Sequence, residues 1–164
     1  MDLSNPKCSS RLELADLVDL SCIQPDLKAT TKEAAVEEML EMLVARRRIT
    51  ESRDAFNALM EREIVGTAIG RGVAFPHAEV QGVDETSMVV GVSRAGIDFD
   101  AIDHEAVRLF FLFVFPKGDS VTRLRLIAQV MKLVRRSEVR ESILKSTAAR
   151  EIQDCLLGYL RGGN

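Results

Sequence analysis

Gly66-Thr-Ala-Ile-Gly-Arg-Gly-Val-Ala-Phe-Pro-His77 is the stretch around which the chain is organised. Glycines at 66, 70 and 72 free the backbone to turn tightly or to approach another molecule closely. Val73-Ala74-Phe75 reads as a short buried strand. Pro76 is expected to end the ladder and stiffen the chain before the imidazole. The stretch is thus a device for holding His77 at the end of a strand, beside backbone amides of the kind that bind anions. An imidazole is neutral enough near pH 7 to act as a nucleophile, and its charge is easily tuned.

Outward from this stretch, helices flank strands. Residues 12–20 suggest a short helix and Cys22 to Leu27 a weak strand. Thr30-x-x-Glu33 has capping-box spacing, which predicts a helix running to about Arg47. Ser52 is a candidate cap for a second helix ending near Arg62. Ala78 to Glu85 reads as a polar loop, Ser87 to Ser93 as a strand, and Arg94-Ala-Gly96 and Asp100 to Glu105 as turns. Arg108 to Phe115 is so continuously apolar that it must be buried on both faces. Three helices follow, one through Leu124 to Val134, one from about Ser137, and one around Ile152 to Tyr159. Strands in the middle with helices on either side predict an α+β fold in which helices cover a small sheet.

The 164 residues suit one domain, expected over 12–164 behind a loose tail at 1–11. A net charge of −3 gives no electrostatic case for nucleic acid. The three cysteines, Cys8, Cys22 and Cys155, are far apart, without metal or disulfide spacing, as in a reduced cytoplasmic protein. No apolar run is long enough for membrane insertion, and the polar N-terminus does not read as a signal peptide. Asp98, Asp100 and Asp103 suggest backbone caps in turns before they suggest a metal.

The glycine-rich stretch resembles the phosphohistidine motif of phosphotransferase-system enzyme IIA proteins of the fructose, mannitol and nitrogen-regulatory type. Met60-Glu61-Arg62-Glu63 and Ile97-Asp98-Phe99-Asp100-Ala101-Ile102-Asp103 extend the likeness on either side, and it covers roughly 12–160. The resemblance implies a mixed central sheet between two helical layers, an α/β/α sandwich. It implies that His77 accepts a phosphoryl group from the histidine phosphocarrier protein, with no cofactor and no metal. It also implies a partner downstream, either the cysteine of a IIB domain or a regulated target protein.

Phosphoryl transfer needs positioning and positive charge around the equatorial oxygens. Arg62 stands where the family places an arginine, one position closer to the histidine than usual. The family's second histidine is replaced by Arg123, expected to contact the phosphoryl oxygens in its place. Gly70, Arg71 and Gly72 are candidate phosphate binders. Two features, the single-domain chain and Ile97 to Asp103, point to the nitrogen-regulatory kind over the sugar-specific kind. A non-catalytic binding module of the same fold is the alternative of another class. It would be favoured if His77 proved to be buried away from solvent.

Overall fold

The computed structural model describes residues 11–162, so the expected tail lies, Arg11 apart, outside the described residues. Six strands form one sheet in the order β1-β5-β6-β3-β2, with β4 also pairing β6. These are β1 (Ile23–Gln24), β2 (Ala68–Gly70), β3 (Val73–Ala74), β4 (His77–Val80), β5 (Ser87–Ile97) and β6 (Val107–Pro116). β5 runs antiparallel to β6, while β3 and β4 run parallel to it, so the sheet is mixed. The helices are α1 (Lys32–Ala45), α2 (Arg53–Glu63), α3 (Ser120–Val134), α4 (Ser137–Lys145) and α5 (Ala149–Gly162). Two 3-10 turns, Leu14–Leu17 and Leu20–Cys22, stand where a short helix was expected.

The strand period of two distributes β6 between two cores. Phe110, Leu112 and Val114 join α1 and α2 on one face. Leu109, Phe111, Phe113 and Phe115 join α3, α4 and α5 on the other. The result is the expected α/β/α sandwich, with β6 sealed on both faces. Burying one such side chain contributes about 1.5–3 kcal/mol, so this strand anchors the sheet.

Local chemistry departs from the sequence reading in four places. Thr31, not Thr30, caps α1, its hydroxyl accepting from Ala34 N at 3.2 Å. Ser52 occupies the cap of α2 without a side-chain bond; the Glu51 carboxylate takes the amides of Arg53 and Asp54 instead. Arg94-Ala-Gly96 is no turn, because β5 passes through it with a register shift before Ile97 re-pairs with Val107. The polar loop at 78–85 begins instead as a strand.

That strand also corrects the role given to Pro76. Val73 pairs Leu109 and His77 pairs Phe113, at the same offset, so β3 and β4 follow one track along β6. Pro76 interrupts the ladder without ending it. It has no N–H to give, but its carbonyl accepts from Phe113 N at 2.8 Å. Phe75 steps out of the track, its amide donating to Thr67 O at 3.2 Å. That step turns the Phe75 carbonyl toward the His77 ring.

Candidate active site at His77

His77 opens β4. Its ring stacks on Phe75, with centroids 5.5 Å apart and planes 17° from parallel. Nδ1 lies 2.9 Å from the Phe75 carbonyl oxygen. A carbonyl only accepts, so Nδ1 carries the proton and the Nε2 lone pair is left free. The residue is 5% exposed. Among the described residues Nε2 has no hydrogen-bond partner. Burial pushes the imidazole below its usual pKa, and the guanidiniums of Arg62 and Arg123 push the same way against the Phe75 bond. The ring is therefore neutral at pH 7, with the Nε2 lone pair unengaged among the described residues.

Two of the expected cations are brought to this point. Arg62 lies in the last turn of α2 and is exposed. Arg123 lies in the first turn of α3, above the same sheet face as the histidine. Arg123 is not free: its Nη1 donates to Glu79 Oε1 at 2.6 Å. Glu79 falls two residues after His77 on β4, hence on the same face, while Ala78 and Val80 point into the α1/α2 core. Sequence reading had placed Glu79 in a loop and given it no role. The period of two from His77 was the available signal.

Gly70, Arg71 and Gly72 are placed elsewhere. Gly70 pairs Val73 and closes a two-residue turn through Arg71 and Gly72, both with positive φ, the requirement of a type I′ hairpin. Asp103 Oδ2 takes the Arg71 amide at 2.8 Å, and a Cβ on Gly70 would stand 3.0 Å from that same oxygen. The hairpin leads into Val73 beside Leu109, four positions along β6 from the partner of His77, or about 13 Å at strand rise. The structure does not bring these three residues to the histidine, and the Arg71 amide is already spent on Asp103.

The acidic turn acts as expected of backbone caps. Asp98 Oδ1 accepts from Asp100 N, and Asp103 Oδ1 from Glu105 N, each at 3.1 Å. Asp100 pairs Lys32 Nζ at 2.8 Å.

A buried pair lies behind the site and was not legible in the sequence. Glu63 is 6% exposed and accepts from the Thr67 hydroxyl, while its Oε2 is sealed without a partner. Burial raises its carboxyl above the ordinary value. Thr67 in turn receives the Phe75 amide on its carbonyl, so this pair supports the step that orients the histidine.

A buried imidazole with one fixed and one open nitrogen, flanked by two guanidiniums, now has a family to be set against. The family model described as phosphoenolpyruvate-dependent sugar phosphotransferase system, EIIA 2, matches residues 16–158. The chain belongs to this family. A fructose-specific EIIA component of the phosphotransferase system from Haloferax volcanii is 30% identical over 86% of this chain and 96% of its own. A nitrogen regulatory protein from Bradyrhizobium diazoefficiens is also 30% identical, over 88% and 95%. Among solved structures, the nitrogen regulatory protein IIA-Ntr from Neisseria meningitidis superposes with a TM-score of 0.81 at 28% identity, covering 87% of this chain and 98% of that one. This EIIA 2 protein thus shares sequence equally with a sugar-specific and a regulatory relative. Among its described residues no helix is long and apolar enough to cross a membrane.

Proposed function

We propose that the protein is a phosphocarrier of the phosphoenolpyruvate-dependent phosphotransferase system, acting in the cytoplasm with His77 as the phosphoryl acceptor. The observation that carries this is the hydrogen bond from Nδ1 to Phe75 O, which leaves Nε2 as an unprotonated nucleophile without a partner among the described residues. The lone pair of Nε2 attacks the phosphorus of a phosphohistidine on the histidine phosphocarrier protein. The donor's P–N bond breaks and its electron pair returns to the donor ring. The Nδ1 proton of His77 stays where it is, held by Phe75. Arg62 and Arg123 supply positive charge to the equatorial oxygens as the group passes.

The nitrogen-regulatory kind is the reading we favour, on the fold likeness to IIA-Ntr. In that kind the phosphorylation state of His77 is itself the signal to a target protein. In the sugar-specific kind a cysteine thiolate of a IIB domain attacks the phosphorus, and the P–N electron pair returns to Nε2. Transfer to an added IIB domain separates the two.

The burial of the His77 ring favours a second reading, a binding module that transfers nothing. Against it stands the Nε2 lone pair, unprotonated and without a partner among the described residues. Incubation with phosphoenolpyruvate, enzyme I and the histidine phosphocarrier protein decides between them. The carrier reading expects an intact-mass gain of one acid-labile phosphoryl group, absent in His77→Ala. No gain would put the binding module first.

A further inference from the structure

The Glu79–Arg123 pair forms before any phosphoryl group arrives, and it occupies the guanidinium that the transferred group needs. Glu79 shares the sheet face of the histidine. Arg123 is close enough to depress the histidine's pKa. Their side chains are 25% and 31% exposed, so the pair is partly withdrawn from solvent screening. Among the described residues Arg123 is engaged through Nη1 alone. A guanidinium has five N–H donors in a fixed fork, so those on Nη2 and Nε remain open.

We infer that Glu79 is a positioning residue of the phosphoryl site, one that holds Arg123 in place in the unphosphorylated protein and competes for it once His77 is phosphorylated. The inference rests on the phosphocarrier reading above. In the resting state the carboxylate neutralises Arg123 and fixes the long side chain, lowering the entropy cost of presenting it. Phosphorylation brings a second anion to the same fork. Glu79 and the phosphoryl oxygens then share one cation, and like charges repel. Glu79 thereby raises the energy of the phosphorylated state and favours passing the group on. A site with a free arginine would hold its phosphoryl group more tightly. This turns a replacement of the family's second histidine by an always-charged residue into a workable carrier, because the carboxylate offsets the extra attraction.

The experiment uses wild type and Glu79→Gln, each equilibrated with the phosphorylated histidine phosphocarrier protein, with the phosphorylated fraction and phosphohistidine lifetime read by intact mass. Glutamine keeps the acceptor oxygen and removes the charge. The expected result is an equilibrium shifted about threefold or more toward phosphorylated His77, with a longer lifetime, in line with a partly screened charge pair. A purely structural Glu79 would give no gain, and an unchanged equilibrium overturns the inference. A second reading needs no variant: the side-chain nitrogen NMR signal of Arg123 in wild type moves on phosphorylation if the fork is shared, and an unmoved signal overturns the inference. If wild type takes no phosphoryl group, the phosphocarrier reading itself has failed, and this inference falls with it.

Discussion

The carbonyl oxygen of Phe75 accepts from Nδ1 of His77 at 2.9 Å, two residues away along the same chain. Stacking of the two rings at 5.5 Å holds that geometry and keeps most of the imidazole out of water. Tautomer and orientation thus share one origin, the step that Phe75 and Pro76 take out of the β6 ladder, while burial and two guanidiniums depress the basicity against the Phe75 bond.

The first consequence is a pH dependence. The unfolded chain protonates His77 near 6.5, whereas burial and two guanidiniums hold the folded value lower. A depressed folded pKa means that this contribution to stability is complete above 6.5 and is lost as pH falls through the folded value. NMR titration should give a midpoint below 6.5, raised toward it in Arg62→Ala and Arg123→Ala. Relative to His77→Gln, wild type should lose stability between neutral pH and pH 5. A midpoint at or above 6.5 would contradict the burial of the ring.

Arg123 should matter more than Arg62, since it is held in place and Arg62 is exposed. We expect Arg123→Ala to slow phosphorylation by about 100-fold, the usual cost of one aimed donor, and Arg62→Ala to slow it less. Stopped-flow transfer from the phosphorylated carrier measures both. An unchanged rate in Arg123→Ala would remove that residue from the site.

The Gly70–Gly72 hairpin should prove structural. Arg71→Ala is expected to transfer phosphate within about twofold of wild type, because the turn lies about 13 Å along the strand from His77. Gly70→Ala should cost about 1–3 kcal/mol in urea unfolding, since φ is +84° and the added Cβ meets Asp103. A strong rate loss in Arg71→Ala would return the hairpin to the phosphoryl site.

Much of the fold was legible where hydrophobic patterning is strong. The run from Leu109 to Phe115 has no polar residue and had to be a doubly covered strand. The apolar spacing of α3 was equally clear. β4 was missed because it has four residues, one of them Glu79, and because a preceding proline usually ends a ladder. Here its carbonyl keeps the ladder going. Gly96 looked like turn chemistry but sits in a bulge, its missing side chain making room for Ala106. In the candidate site, His77 and Arg62 stand out through a motif, and Arg123 through its place where the family's second histidine is missing. Glu79 and Glu63 did not, since pairing across 44 positions and burial at a helix end are tertiary facts.

Glu63 gives a fourth prediction. Its raised carboxyl means that stability present below about 4.5 is lost as pH rises through the folded value. Glu63→Gln keeps an acceptor for Thr67 and removes the sealed charge. Chemical denaturation at pH 8 should show the variant more stable by about 1 kcal/mol, with the gap closing toward pH 4.5. A variant no more stable than wild type at pH 8 would contradict a sealed, ionising carboxyl.

The central claim is that Nε2 of His77 carries the phosphoryl group while Nδ1 keeps its proton on Phe75. Nitrogen-15 NMR of histidine-labelled protein, before and after phosphorylation, tests it most directly. The account predicts phosphorus coupling at Nε2 of His77, with Nδ1 still protonated and His104 unchanged. Coupling at Nδ1, coupling at His104, or no phosphorylated species at all would contradict it.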